Sequence, residues 1–553
     1  MQPDAFKANL LYPPSGRQSQ TVRELGSDSV RDLGLGEIAR QITREGIRYQ
    51  QVLEIISSLP IDLEVIRYRQ DVFEDIYRSS ALFGGLEQII PKINEIILFS
   101  DTRKDSRNPL QEAVWRLSEL ELYVECIDEL FGAIRSSEEE IKSEGIRQLG
   151  KSLEAVSSSE QFQNLRRELP QLREGLRKKR SVTIGINLDE RMRPVEATLL
   201  SVNEHTYHEK GLLPRLFGKQ PDADFETTTT IHSSPVPTEY SSDPLLKVPL
   251  SPLFQDLEQL LGSTIRPLVR VLNRYMSMNT TALRTLQHDA AFFLGAVRFF
   301  RRLEQENLPV SKPSIRSMDD RHLEATDLFN PLLALLSGGS SDRIVLNGVG
   351  LDEESRLQIL TGPNQGGKTT FTQAVGLVQV LAQCGMYVPA ASASVSPVDL
   401  IVTHFPSEEK GQLASGRLGE EAMRFAALFD TVTENSMVLL NESLTSTSPA
   451  EGEYLAEDII RALSMLGTRG LFATHLHGLA GRVESLNSQI GGRSRIGSLV
   501  AGVIESGDSS SATRTYRVRK GAPTGKSFAR DIAEQYGISY EQIMRRLRER
   551  NLL

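Results

Sequence analysis

From Glu37 to Ser136 the apolar residues recur at three- and four-residue intervals, as in LEQIIPKINEIILF and LSELELYVECIDELF. That spacing predicts a series of amphipathic helices, and it continues from Gln161 to Arg180. The period then changes. SVTIGINLDERMRPVEATLLSVNE (Ser181 to Glu204) alternates as strands do, and Asp222 to Pro249 is rich in Thr, Ser and Pro. Helical spacing returns at Pro252 and runs to Asn307, with one long amphipathic stretch from Ser263 to Glu304. SGGSSD (337–342) reads as a linker, and beyond Arg343 apolar runs alternate with helical patterns, as in a parallel α/β domain. The first 40 or so residues are polar and glycine-spotted and read as a loosely ordered start. The expected organisation is a multidomain α plus α/β chain. Its parts are a loose segment (1–40), a helical arm (41–180), a β-containing insertion (181–250), a returning helical arm (251–336) and a C-terminal α/β domain (343–553). No internal repeat is visible.

Composition narrows the class without deciding it. The 553 residues include 39% hydrophobic and 24% charged positions, ordinary for a globular protein with a sizeable core. Cys126 and Cys384 give no disulfide framework and suit a reducing, cytoplasmic setting. The start, MQPDAFKANLLYPPSG, has no apolar core of a secretion signal, and no run approaches the ~20 apolar residues that cross a bilayer. A net charge of −9 gives no bulk attraction to nucleic acid, so DNA binding requires local basic patches.

The candidate chemistry is concentrated in LQILTGPNQGGKTT (Leu357 to Thr370). Gly362 is followed after four residues by Gly367-Lys368-Thr369, the P-loop spacing. Leu357, Ile359 and Leu360 supply a strand before it, and a helical pattern from Thr369 to Cys384, closed by Gly385, follows. Glycines let backbone N–H groups curl around phosphate oxygens, and the helix N-terminus adds partial positive charge. Gly362, Pro363, Asn364, Gln365, Gly366, Gly367, Lys368, Thr369 and Thr370 therefore form the expected nucleotide cradle. Lys368 would reach the β and γ phosphates and the Thr369 hydroxyl would sit on Mg²⁺. Downstream, SMVLL (Ser436 to Leu440) is a strand ending in Asn441-Glu442, where P-loop ATPases deliver a metal-side residue and a glutamate that polarises water. GLFAT (Gly470 to Thr474) ends in His475, placed by type to sense the γ-phosphate. Gly521-Ala-Pro-Thr-Gly525-Lys526-Ser527 imitates a second such loop but is one residue short and not framed by strand and helix. A basic run, Arg166, Arg167, Arg173, Arg177, Lys178, Lys179 and Arg180, is either a phosphate-contacting surface or a solvated helix face.

These residues resemble a known family. TGPNQGGKTT is similar to the TGPNxGGK[ST]T loop of the MutS family of DNA mismatch-repair ATPases. The resemblance continues through LAQCGMYVPA (Leu381 to Ala390), DLIVTHF (Asp399 to Phe405), LASGR (Leu413 to Arg417), VLLNES (Val438 to Ser443) and ATHLHGL (Ala473 to Leu479). It closes with YRVRKGAPTGKSFARDIAEQYGI (Tyr516 to Ile538), so it covers most of residues 343 to 546. It implies an ABC-like P-loop ATPase domain, helical core and lever arms, and a clamp-like insertion. It also implies ATP and Mg²⁺ as ligands, with Thr369 and Asn441 on the metal and Glu442 and His475 as catalytic residues. A homodimer on duplex DNA follows from the same likeness. Arg177, Lys178, Lys179 and Arg180 would be the DNA contacts, and Ser415, Gly416 and Arg417 the signature that meets the partner's nucleotide.

The chain also departs from the family pattern. Asn441-Glu442 stands where Asp-Glu is usual, Leu418-Gly419-Glu420 replaces a Ser-Thr-Phe segment, and Ile344 occupies the place of an aromatic that stacks on adenine. With helices expected within about 40 residues and no Phe-x-Glu wedge, a mismatch-reading domain is not expected, nor is an appended nuclease module. The implied function is an ATP-driven clamp on mismatched, branched or distorted duplex. The alternative is an interaction protein that binds ATP as a structural switch, with little hydrolysis and no DNA ligand.

Overall fold

Apolar runs such as MVLLN and LQILT can be buried along their whole length only if both faces of their sheet are covered. The computed structural model shows this arrangement. It describes residues 9–14, 22–102, 109–177, 181–188, 190, 194–203, 271–272, 275, 280–336, 343–406, 416–444, 446–504, 513–522 and 537–550. The elements run β1 (Val22–Glu24), α1 (Ser27–Asp32), α2 (Leu35–Ile42), α3 (Tyr49–Ser57), β2 (Ser58–Pro60), α4 (Leu63–Arg78), α5 (Ser80–Thr102), α6 (Pro109–Ser136), α7 (Glu144–Ser158) and α8 (Glu160–Arg177). Then follow β3 (Ser181–Leu188), β4 (Pro194–Asn203), α9 (Thr280–Gln305), β5 (Ser314–Ile315), β6 (Leu323–Leu328), α10 (Pro331–Leu336), β7 (Asn347–Leu351), β8 (Leu357–Thr361) and α11 (Lys368–Gln383). The remainder is β9 (Ser392–Val395), β10 (Ile401–His404), α12 (Gly416–Thr431), β11 (Met437–Asn441), α13 (Pro449–Leu466), β12 (Arg469–Ala473), α14 (His477–Gly481), α15 (Val483–Gln489), β13 (Ile496–Ile504), β14 (Thr513–Lys520) and α16 (Tyr540–Glu549).

Two compact units result. The larger comprises Lys7–Ile90, Gly132–Ser152 and Ala282–Leu553. Its six-stranded sheet has the order β10-β11-β12-β8-β13-β14, parallel except for the antiparallel β13/β14 pair. The register pairs Asn441 with Ala473, and Ala473 with Leu360. The carboxyl ends of β11, β12 and β8 therefore lie side by side, where ligands of open parallel sheets are bound. A second sheet, β5-β9-β6-β7, lies in the same unit.

Helix α11 leaves the end of β8 and is buried on nearly every face. Gly376 shows why. A Cβ there would stand 2.8 Å from Leu439 of β11 and 2.5 Å from Leu33, which follows α1, so glycine lets both side chains approach without shifting. Gln383 donates to the carbonyls of Pro60 and Val398, and Gln373 donates to that of Asp32. On the same side Ser29 Oγ donates to Ile401 O and Thr403 Oγ1 donates to Asp32 Oδ2, so α1 covers the edge strand β10. The expectation of a loosely ordered start does not hold for residues 22–40. Leu33, Leu35, Ile38 and Ile42 are fully buried, and their burial outweighs the polar composition around them.

The smaller unit comprises Pro91–Phe131 and the described part of Leu153–Thr281. Leu120, Ile127, Leu130, Phe162 and Leu165 form its core, with Tyr123 edge-on to Phe162. The alternating segment forms the antiparallel hairpin β3/β4. Of the amphipathic stretch expected from Ser263 to Glu304, α9 carries the part from Thr280 and Tyr275 lies in a turn, its N–H donating to Leu272 O, while residues 263–270, 273–274 and 276–279 lie outside the described residues.

Candidate functional site

The turn between β8 and α11 is built for a backbone that side chains would obstruct. Gly362 and Gly367 have φ of 151° and 87°, a region open to glycine, and Gln365 shares it at 60°. Gly366 N–H donates to Pro363 O, which curls the loop, and Gly367 is the N-cap residue of α11. Lys368, 4% exposed, opens the helix. Its ammonium donates to Gly362 O (2.9 Å) and Pro363 O (3.1 Å) and pairs with Glu442 Oε1 at 2.9 Å.

The ends of β11 and β12 supply the facing groups. Asn441 is the last residue of β11, and its Oδ1 accepts from Thr369 Oγ1 at 3.1 Å. Glu442 follows with φ of 48°, its N–H fixed on Ala473 O, and its Oε2 lies 2.8 Å from His475 Nδ1. A carboxylate only accepts, so Nδ1 carries the proton in this pair. Burial disfavours the Glu442 charge, but the His475 hydrogen bond and the Lys368 ammonium outweigh it and hold the carboxyl below its usual range. Lys368, Glu442 and His475 thus form one continuous hydrogen-bonded chain beside the Thr369–Asn441 contact. His477 lies near enough to be affected by Lys368, and burial together with that ammonium lowers its basicity.

Residues 364–370, Glu442 and His475 line one cleft of 860 Å³, within the range of small-molecule sites. Its far wall is apolar, with Leu328, Phe329, Leu333, Ile344 and Val345, and Arg343 lines it as well. Tyr516 completes the wall. It is 45% exposed with φ of 55°, and its ring lies against Gly367. Asn347 holds this strained aromatic in place, its Nδ2 donating to Tyr516 O and its Oδ1 accepting from Val518 N–H.

Two sets of expected site residues are not brought to this cleft by anything described. Arg177 ends α8 and Gly416 and Arg417 begin α12, but their side chains, like Ser415, Lys178, Lys179 and Arg180, lie outside the described residues. Gly525, Lys526 and Ser527 of the imitation loop lie outside them too. Elsewhere in the basic run, Arg166 pairs with Asp128 (3.3 Å) and Arg173 with Glu121 (3.5 Å), so part of that charge is already matched.

Residues 358–549 match the family described as MutS domain V, and residues 61–306 match the MutS2 N-terminal domain. The chain belongs to the MutS family. Among its relatives, the DNA mismatch repair protein MutS of Erythrobacter litoralis is 34% identical over 180 residues, 32% of this chain and 20% of that protein. The DNA mismatch repair protein MSH6 of Arabidopsis thaliana is 32% identical over 222 residues, 39% of this chain and 16% of its own length. Endonuclease MutS2 of Gemmatimonas aurantiaca is 30% identical over 253 residues, 45% of this chain and 28% of that protein. The matches thus span less than a third of each of these relatives. In this MutS-family chain the sequence reading passed over Asn330, Phe329, Arg343, Asn347 and Tyr516. Tyr516 could have been found, because it opens the resembling segment YRVRKG; the others stand in no phosphate-loop pattern.

Proposed function

We propose that this MutS-family protein is an ATP hydrolase whose nucleotide cycle works a clamp on mismatched, branched or distorted duplex DNA. It would act as a cytoplasmic homodimer. The convergence of Lys368, Thr369, Asn441, Glu442 and His475 at the N-terminus of α11 carries the reading. The residues fit a magnesium nucleotide. Backbone N–H groups of an ABC-like P-loop face the phosphates, a buried ammonium stands ready, and Thr369 and Asn441 already touch through oxygen atoms suited to a hard cation. Mg²⁺, when bound, neutralises charge on the β and γ oxygens. Lys368 exchanges its carboxylate partner for phosphate oxygens. Glu442 orients and polarises the attacking water, and His475 Nδ1–H holds that carboxylate in place. Asn441 contributes a dipole where an aspartate would contribute a charge, which favours slow turnover and keeps the switch-like alternative in view.

The names of two relatives as DNA mismatch repair proteins support DNA as the ligand. In this reading Arg177, Lys178, Lys179 and Arg180 neutralise phosphates, a contact that is independent of sequence and weakens with salt. Ser415, Gly416 and Arg417 reach the nucleotide of the second copy. The first test is Lys368→Ala. Loss of a charge-assisted contact predicts roughly 1.5–3 kcal/mol weaker binding, ten- to a hundredfold in affinity. A folded variant that binds magnesium-ATP as tightly as the wild type would sink the assignment.

A further inference from the structure

Glu442 sits in an awkward turn. Glu442 and Leu444 both have positive φ, 48° and 64°, without being glycine, and Leu444 is buried in the core beneath. Such conformations persist only where the surroundings over-determine them. One restraint is the bond from Glu442 N–H to Ala473 O. The other runs through Ser443, which lies between the two strained residues and is 1% exposed. Its hydroxyl donates to His404 O at 3.2 Å and stands 2.8 Å from His404 Nδ1. A hydroxyl has one proton, and one assignment satisfies both contacts: the hydroxyl donates to the carbonyl and the ring donates to the hydroxyl, which leaves His404 as the Nδ1–H tautomer with a bare Nε2. Nε2 is buried and finds no partner among the described residues.

His404 is itself held firmly. It ends β10 opposite Leu440 of β11, is 3% exposed, and stacks on Phe425 of α12 with ring centroids 4.5 Å apart and planes 22° from parallel. Arg424, next to Phe425, donates to Phe405 O and approaches Asp28 of α1, so charged groups bracket the ring without bonding to it. The imidazole has no contact with the cleft. Its polar atoms serve the turn alone.

We propose that His404 is a positioning residue, which through Ser443 sets the turn that aims Glu442 at Lys368 and His475. The proposal rests on the reading of Glu442 as the water-polarising group. Loss of the His404–Ser443 bond should leave nucleotide binding intact, because the glycine-rich loop and Lys368 stand on β8 and α11, and should slow turnover.

Three variants separate positioning from packing. His404→Phe keeps the ring on Phe425 and removes the donor. His404→Asn removes the ring and keeps an N–H at the Nδ1 position, while Ser443→Ala removes the hydroxyl. The measurements are kcat, KM and nucleotide affinity for magnesium-ATP, with thermal midpoints beside them. The expected result is a kcat reduced roughly ten- to a hundredfold in His404→Phe and Ser443→Ala, the scale of a small misalignment of a reacting group. Affinity should stay within about twofold, His404→Asn should recover most of the rate, and the double variant His404→Phe/Ser443→Ala should be no slower than either single one. A His404→Phe rate equal to wild type, or rates that follow thermal midpoints with His404→Asn the worst, overturns the proposal alone. A wild-type protein that hydrolyses ATP no faster than Glu442→Gln overturns the reading of Glu442 and this inference with it.

Discussion

Glu442→Gln should have two opposite effects, one on binding and one on turnover. The carboxylate stands between Lys368 Nζ at 2.9 Å and His475 Nδ1 at 2.8 Å, so it occupies the cation that a nucleotide needs. Two unit charges at this separation attract by about 6 kcal/mol at an effective dielectric constant near 20. Most of that is offset by the desolvation of Lys368 and, in the bound state, is replaced by phosphate. A residual penalty of about 1.4 kcal/mol against binding is a reasonable share, which corresponds to tenfold. Glutamine preserves shape and removes the charge, so magnesium-ATP should bind about tenfold more tightly. Loss of the group that polarises water should at the same time slow hydrolysis by roughly a hundredfold or more. Equilibrium titration with a slowly hydrolysed ATP analogue and steady-state phosphate release test the two halves separately. Unchanged or weaker binding refutes the competition between Glu442 and nucleotide for Lys368. Unchanged turnover refutes the role of Glu442 in the chemistry.

Asn441→Asp should add a full negative charge beside Thr369 and raise magnesium-dependent hydrolysis by roughly tenfold, about 1.4 kcal/mol of transition-state stabilisation. A magnesium titration that shows the same rate and midpoint as wild type would remove Asn441 from the metal. Burial, helped by the nearby Arg424, lowers the His404 pKa to about 4 from an ordinary 6.5. The unfolded chain then binds the extra proton between these values, so the associated stability is complete above pH 6.5 and is lost as pH falls towards 4. The full shift corresponds to about 3 kcal/mol. Unfolding midpoints measured from pH 7 to pH 4 should fall more steeply for wild type than for His404→Asn, and parallel curves would contradict a neutral, buried imidazole.

What the sequence made legible was local. The strand before Gly362, the helix from Lys368 and the strand ending at Asn441 follow from apolar runs and glycine positions that need no distant partner. The hairpin Ser181–Leu188 with Pro194–Asn203 follows from alternation in the same way. The features that escaped depend on long-range contact. Helix α1 spans six residues, too short to declare itself, and its Asp32 is held by Gln373 and Thr403 more than 300 positions away. Tyr516 and Asn347 meet only because β7 and β14 come together. The basic run near Arg173 looked uniform because the acids that match it, Asp128 and Glu121, belong to another helix. His404 could be placed in a resembling segment, but nothing in DLIVTHF indicates that its ring reaches the residue after Glu442.

The packing of residues 22–90 around α11 has a consequence for how the protein is made. About 280 residues separate Ile90 from Lys368, and synthesis at roughly 5–20 residues per second puts on the order of 15–60 s between them. Throughout that interval Leu33 has been translated, while α11, whose Gly376 it meets, has not. The larger unit is thus assembled from segments far apart in the chain. Its early part emerges with Leu33 uncovered on that side, and the contact with α11 forms only after the glycine-rich loop has been made.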